Sequence, residues 1–429
     1  MKESMKETDF DIDNAPTLAP SENLDGYLNG YLKGNADGYL KGNADGYDET
    51  FIKLGLKTSS VTTLGANAFG VSVATFTNWR WQMAKQVRNL EQAQTALELS
   101  DSERDGFKNL ETVFNAGVTP YYMSLMDPQN DACPIRLQAL PRLEELSDRL
   151  GKPDPLSEVD HSPVKEVVHV YPDRVAFCVA QLCPVYCRYC FRKRRDDEEG
   201  LHFNRGIIDR GIAYIRSNPA IRDVLITGGD PFIASDEALD RLLARIREIP
   251  HVEVIRFGTR TPVTLPYRIT KKLCSILAKY HPIWVNTHFN CASEVTEEAQ
   301  IALANLANAG IPIGNQAVLL KGINDCPEAM LHLCRSLIKN RVRPYYIFHA
   351  HMIAGTEHLR VPVNKGLEIM TFLRGRISGF GIPTFALDTP NGKIPLLPSH
   401  ILGVDGTDLI LQDTRGEIHR EPDAWKTSY

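Results

Sequence analysis

The chain has 429 residues, more than one small domain needs and enough for a large catalytic domain with additions. Its 43% hydrophobic and 24% charged residues are ordinary for a soluble globular protein, and a net charge of −5 gives no basis for non-specific nucleic-acid binding. No apolar run reaches the roughly 18 residues of a membrane span, and the acidic start MKESMKETDFDIDN has no apolar signal-peptide core. Nine cysteines, an odd number with three of them clustered, suit a reducing cytoplasm better than a disulfide framework.

Residues 1–77 read as a flexible extension. GYLKGNAD occurs twice in tandem, starting at Gly30 and at Gly38, after a partial copy at Gly26-Tyr27-Leu28-Asn29. Frequent Gly and Asn oppose a helix, and the Asp-Gly steps lack the ligand spacing of an EF-hand loop. The Tyr-Leu pairs remain candidates for docking on a partner. From Asn78 the texture turns helical: one stretch runs from Trp79 through Leu97, another follows the Ser100 cap to about Val113, and helix resumes over 141–150. Residues 78–160 therefore read as a helical N-terminal subdomain, ending in a linker with Pro and Asp at 151–161.

Short apolar runs then alternate with amphipathic helices. The strand candidates are 174–180, 223–227, 252–257, 283–287, 311–319 and 344–348, and the intervening helices are 207–217, 237–248, 270–279, 297–307 and 327–339. This alternation implies parallel strands joined by right-handed crossovers. Six units are too few for a closed eight-stranded barrel, so the expected architecture is α/β, a partial (βα)6 barrel over 161–350. Chemistry in such barrels sits at the C-terminal strand ends. A C-terminal segment, 351–429, carries a helix near 364–377, a Gly/Pro-rich loop and a strand pair near 409–412 and 418–419.

Three motifs carry chemistry. Cys183, Cys187 and Cys190 form C-x3-C-x2-C directly after the first strand. Three thiolates in one loop suit three irons of a 4Fe-4S cluster, leaving the fourth iron for a small molecule. A zinc site is the plainer alternative, but zinc favours four ligands in C-x2-C pairs and no second pair exists. Gly228-Gly229-Asp230-Pro231 ends the second strand, either as a ligand-contacting turn or as plain turn chemistry. Asp388-Thr389-Pro390-Asn391-Gly392-Lys393-Ile394-Pro395 sets a lysine on a shaped loop. Lysine is the usual carrier of pyridoxal phosphate, although most loop lysines are solvated.

The cysteine spacing resembles the radical S-adenosylmethionine (SAM) superfamily. A longer resemblance, from about Asn78 to Pro422, is to lysine 2,3-aminomutase and its relatives. It runs through Trp79-Arg80-Trp81-Gln82, Thr119-Pro120-Tyr121-Tyr122, Tyr171-Pro172-Asp173-Arg174, Arg260-Thr261-Pro262, Asn286-Thr287-His288-Phe289-Asn290, Gly314-Asn315-Gln316 and Lys393-Ile394-Pro395. It implies an isomerase with a 4Fe-4S cluster on the three cysteines, SAM beside Gly228, Gly229 and Asp230, and pyridoxal phosphate on Lys393. Tyr171, Arg174 and Gln316 are implied at the cofactors, and Arg192 at the substrate α-carboxylate, where a bidentate fork suits the ligand. The implied reaction moves the α-amino group of a free L-amino acid to Cβ through a 5′-deoxyadenosyl radical, with lysine, arginine or glutamate as substrate. The implied partners are a small amino acid, an electron donor such as flavodoxin or ferredoxin, and further copies of the chain in a homo-oligomer, with neither nucleic acid nor membrane.

Three departures stand out. Of the two aspartates that hold the distal ammonium in lysine-specific members, one matches Asp388 and the other falls at His351; one missing carboxylate weakens the case for a lysine tail. The loop from Asp388 to Lys393 is shorter than in those members, and Val170 stands where many have arginine. Cys326 matches one zinc ligand of some members, but residues 421–429 hold no cysteine, so no zinc is expected there. Two other readings stay open: a relative that modifies a lysine on a protein, and a non-catalytic iron-sulfur interaction protein.

Overall fold

The fold was obtained as a computed structural model, which describes residues 61–109, 114–193, 205–396, 401–413 and 416–423. The tandem repeat lies outside the described residues. The described residues all fall within one unit, Ser59–Tyr429.

Among the described residues seven short helices open it: α1 (Val61–Ala68), α2 (Val73–Phe76), α3 (Trp79–Ala84), α4 (Leu90–Gln94), α5 (Asp101–Lys108), α6 (Pro120–Met123) and α7 (Pro134–Ala139). Two features differ from expectation. Helix starts at Val61, inside the stretch read as an extension, because α1 and α2 pack face to face: a Cβ on Gly65 would lie 2.3 Å from the buried Phe76 ring. The long helix from Trp79 is broken, since Val87 leaves it to form an antiparallel bridge with Val118. Helix α5 begins at the Ser100 cap, closed by a reciprocal capping box with Glu103.

Among the described residues one sheet of nine strands forms the core, in sequence order. Its elements are β1 (Val167–Tyr171), β2 (Arg174–Ala180), α8 (Arg205–Ser217), β3 (Asp223–Gly228), α9 (Asp236–Arg247), β4 (Val254–Gly258), α10 (Thr261–Thr264), α11 (Lys271–Ala278) and β5 (Ile283–Thr287). There follow α12 (Glu297–Asn308), β6 (Ile313–Leu319), α13 (Pro327–Lys339), β7 (Val342–His349), α14 (Val363–Leu373), β8 (Thr384–Thr389) and β9 (Gly392–Pro395). All six strand candidates are strands, and β2 through β8 pair in parallel. Antiparallel β1 and β9 are the sheet's edges.

The helices start where side chains supply acceptors for free backbone N–H groups: Ser235 caps α9, Thr270 caps α11 and Thr296 caps α12. Alternate strand residues, Val224 and Ile226, Ile255 and Phe257, Ile283 and Val285, are fully buried. Gly211 of α8 lies so close to Phe177 of β2 that a Cβ there would sit 2.2 Å from the ring. Truncating such a buried ring costs about 3–5 kcal/mol.

The C-terminal segment is divided. Its β8 and β9 complete the barrel sheet, so Lys393 is a strand residue of a hairpin and not, as the sequence reading had it, part of a loop. Beyond them β10 (Ile401–Asp405), β11 (Asp408–Gln412) and β12 (Ile418–Pro422) form a separate three-stranded sheet that includes the expected strand pair.

Candidate active site

The cysteine loop leaves β2 and is held from outside by the helical region. Gln86 donates through Nε2 to the carbonyls of Cys183 at 2.7 Å and Pro184 at 2.8 Å. The Tyr186 N–H donates to Gly117 O at 2.9 Å, and a Cβ on Gly117 would lie 2.6 Å from the Tyr186 ring. Beneath the loop the fully buried Arg188 donates Nε and Nη2 to the two Glu145 oxygens, each at 2.7 Å, and its remaining N–H groups to the Phe114 and Asn115 carbonyls. Both ions are thus hydrogen-bonded throughout, the condition under which a buried pair is tolerated.

All three cysteines are half-buried, and none is in a disulfide. Arg260, at the end of β4, donates Nη1 to Cys187 Sγ at 2.8 Å, and its Nη2 reaches Glu294 at 2.7 Å, Tyr122 at 3.1 Å and the Gln138 amide oxygen. Burial, with a further push from Cys187, raises the Cys190 thiol to about 11, so its proton must leave when a metal binds. Tyr189 OH lies 2.8 Å from His288 Nε2, and burial with the nearby Arg260 charge pushes that imidazole down to about 3. Arg260 and His288 stand in the quoted shared stretches without a role, and Tyr189 is not singled out there. Their link is long-range, and only the residue types, an arginine and a histidine at strand ends, could have flagged them.

Gly228 and Gly229 pack against the start of the cysteine loop. Gly228 has φ +122°, and a Cβ on it would lie 2.3 Å from Ala180 O; on Gly229 it would lie 2.4 Å from Gln181 O. Asp230 is buried, and its carboxylate accepts from Thr259 Oγ1 at 2.6 Å, Arg260 N at 2.8 Å and Phe232 N at 3.1 Å. The resemblance implies SAM beside Asp230. In the structure its hydrogen bonds lock the β3 turn onto the β4 turn.

Arg192 sits behind the cysteine loop with its fork engaged. Nε and Nη2 donate to Glu158 Oε1 at 3.1 and 2.9 Å, and Nη1 donates to Thr227 Oγ1 at 3.0 Å. Glu158, itself buried, lies in the segment read as a linker and went unnoticed in the sequence.

Lys393 and Asp388 are directly opposed across β8 and β9. Lys393 Nζ lies 3.1 Å from Asp388 Oδ1, and His351 Nε2 lies 3.1 Å from Asp388 Oδ2. Burial works to raise the Asp388 carboxyl, but the Lys393 ammonium and the His351 ring outweigh it and hold it well below the carboxylate range. Tyr171 OH accepts from Lys393 N at 2.8 Å, tying edge strand β1 to edge strand β9, and the Arg174 guanidinium stacks 3.7 Å over the Tyr171 ring. Gln316 lies on β6 opposite Tyr346 of β7. The His351 ring is 4.7 Å from the Phe191 ring, between Cys190 and Arg192.

A barrel with a three-cysteine loop after its first parallel strand defines a radical SAM protein. The family description "Radical SAM superfamily" matches residues 178–334, and "Lysine-2,3-aminomutase" matches 370–428. The L-lysine 2,3-aminomutase of Bacillus subtilis (strain 168) is 46% identical over 81% of this chain and 74% of its own. That of Clostridium subterminale is 44% identical over 81% and 84%. The glutamate 2,3-aminomutase of Clostridioides difficile (strain 630) is 42% identical over 79% and 80%. The chain belongs to the lysine 2,3-aminomutase family of radical SAM isomerases.

The cofactor set of that family is a 4Fe-4S cluster, SAM and pyridoxal phosphate, and the residues present fit it. Cys183, Cys187 and Cys190 share one loop, which suits a cluster with one iron under each thiolate. Lys393 is about a third exposed (35%), its backbone fixed by Tyr171. His169, Val170, Tyr171 and Pro172 line an open hollow of about 380 Å³. Among the described residues Cys326 is not part of a metal-ligand cluster; its Sγ donates to Glu328.

Proposed function

We propose that the chain is a 2,3-aminomutase acting on a free L-amino acid, with Cys183, Cys187 and Cys190 holding the cluster and Lys393 carrying pyridoxal phosphate. The observation that carries this reading is a continuous line of contacts. Phe191, next to Cys190, touches His351; His351 touches Asp388; Asp388 faces Lys393. The two cofactor elements thus meet at one place, as a hydrogen transfer from a SAM-derived radical to an amino acid on pyridoxal phosphate requires.

When bound, the cluster and SAM supply the radical, and pyridoxal phosphate supplies delocalisation for the migrating nitrogen. The chain's residues bind and orient. Arg192, aligned by Glu158 and Thr227, takes the substrate α-carboxylate through its remaining N–H groups. Lys393 gives up and recovers a proton at Nζ beside Asp388. Tyr171 with Arg174 steadies the cofactor. Phe191 and Phe348 set their rings beside His351, with Tyr346 stacked on Phe348, an apolar surface that excludes water and stray hydrogen donors. Gly228 and Gly229 let the β3 turn approach the cysteine loop, where SAM is received.

His351 and Asp388 face the substrate side chain. Relatives named for lysine and for glutamate frame the choice, with arginine as the third candidate. The reducing agent is a flavodoxin or ferredoxin of the cytoplasm; among the described residues no helix is long and apolar enough to cross a membrane. The test is anaerobic turnover with reductant and each amino acid in turn, reading β-isomers by mass spectrometry. A β-product supports the reading. SAM cleavage without any β-amino acid moves the assignment to a lysine on a protein.

A further inference from the structure

We infer that Lys85 and Arg88 are the landing site of the electron donor, a small acidic one-electron carrier protein, on the outer side of the cysteine loop. The inference rests on the reading that this loop holds the cluster. Its ground is how one segment of the helical region lies against that loop. Val87, just past α3, forms an antiparallel bridge with Val118, and Val118 forms another with Val185, between Cys183 and Cys187. Residues 85–88 are thereby strapped to the loop through the stretch around Val118.

One side chain closes the remaining distance. The buried Gln86 donates Nε2 to the Cys183 and Pro184 carbonyls at 2.7 and 2.8 Å, and its Oε1 accepts from Arg88 Nη2 at 2.6 Å. Arg88 is exposed. Two hydrogen bonds therefore join a surface cation to the backbone of the first cluster cysteine. Leu182, next to Cys183 in the chain, is 41% exposed and offers an apolar contact.

The charge of this segment fits the partner. Lys85 and Arg88 are both exposed, and among the described residues neither is in an ion pair. The whole chain carries a net charge of −5, so it has no general attraction for an acidic protein. A carrier with carboxylates around its redox centre is drawn instead to these two cations. Electron-transfer encounters use small interfaces, so two charges and one apolar side chain suffice as their centre. Such charges act mainly on the association rate and make it fall with salt. One electron leaves the carrier's reduced flavin and enters the cluster, and no bond forms or breaks.

The experiment uses the full chain, anaerobically reconstituted, with SAM and a reduced flavodoxin of strongly negative charge. Formation of 5′-deoxyadenosine is measured against flavodoxin concentration at low and high salt, with dithionite as the control reductant. Wild type is compared with Lys85→Glu and with Arg88→Gln, which keeps a donor for Gln86. The half-saturating flavodoxin concentration at low salt is expected to rise about tenfold in Lys85→Glu and severalfold in Arg88→Gln, with a flatter salt dependence. Dithionite is expected to drive all three chains at one rate. Carbodiimide coupling, which joins an amine to a carboxylate in contact with it, is expected to link Lys85 to the flavodoxin. Equal slowing with both reductants overturns the inference and leaves the two residues as supports of the loop. Unchanged flavodoxin dependence in both variants, or cross-links only at other lysines, overturns it too. A wild-type chain that cleaves no SAM with dithionite overturns the functional reading instead, and is seen before any variant is compared.

Discussion

Arg192 places its Nε and Nη2 on the Glu158 carboxylate and its Nη1 on the Thr227 hydroxyl, so one edge of a five-donor fork is fixed and the other is aimed. Glu158 lies 34 residues before it in a segment without regular secondary structure. A buried carboxylate in this place serves to orient the guanidinium before any ligand arrives. Glu158→Ala is expected to raise KM for the amino-acid substrate by about tenfold, or about 1.4 kcal/mol, in the range of one hydrogen bond to a charged group. Steady-state kinetics check it; an unchanged KM would leave Glu158 with no part in binding.

The Arg188–Glu145 pair underpins the cysteine loop. Arg188→Met takes from the buried Glu145 carboxylate its bidentate partner and leaves it Lys193 Nζ at 3.6 Å, at a cost of about 3 kcal/mol. The variant is expected to lower the unfolding midpoint and to hold less iron per chain after reconstitution, read by denaturation and iron analysis. Arg188→Lys is not expected to restore either, because one ammonium cannot satisfy both oxygens and the Phe114 and Asn115 carbonyls.

Lys393→Ala is expected to abolish turnover that depends on pyridoxal phosphate while leaving SAM cleavage by the reduced cluster measurable. Retained aminomutase activity would contradict the cofactor assignment.

His349 is fully enclosed at the end of β7, its Nε2 2.9 Å from Val361 O, and burial pushes it down to about 4. Its folded pKa thus lies below the unfolded value of about 6.5. The unfolded chain binds the proton first, so stability is full above about pH 6.5 and falls as pH drops toward 4. At pH 5 this one group costs about 2 kcal/mol. Urea midpoints at pH 7 and pH 5 are expected to differ by that order more in wild type than in His349→Gln.

Much of the barrel was legible because its signals are local. Six apolar runs with capped helices between them gave six strands, and the cysteine spacing marked the loop after the first. The contacts that complete the site were not local. Helices α1 and α2 depend on Gly65 meeting Phe76, a packing event that no short-range pattern carries. Strand β9 is four residues long and rich in turn formers, so it looked like a loop until β8 paired with it. Glu158 was invisible for the same reason, its meaning arising only beside Arg192. The glycines of Gly228-Gly229-Asp230 were rightly placed at the end of a strand. The fold adds that Asp230 spends its lone pairs on Thr259, Arg260 and Phe232.

The proposed reaction is a nitrogen shift from Cα to Cβ within one amino acid. The direct measurement is NMR on the product formed from amino acids carrying ¹⁵N at the α-amino group and ¹³C at Cβ, incubated anaerobically with the reconstituted, reduced protein, SAM and pyridoxal phosphate. An aminomutase gives a one-bond ¹⁵N–¹³C coupling at Cβ, undiluted by added unlabelled ammonia. SAM cleavage with the label still on Cα for every amino acid supplied would contradict it.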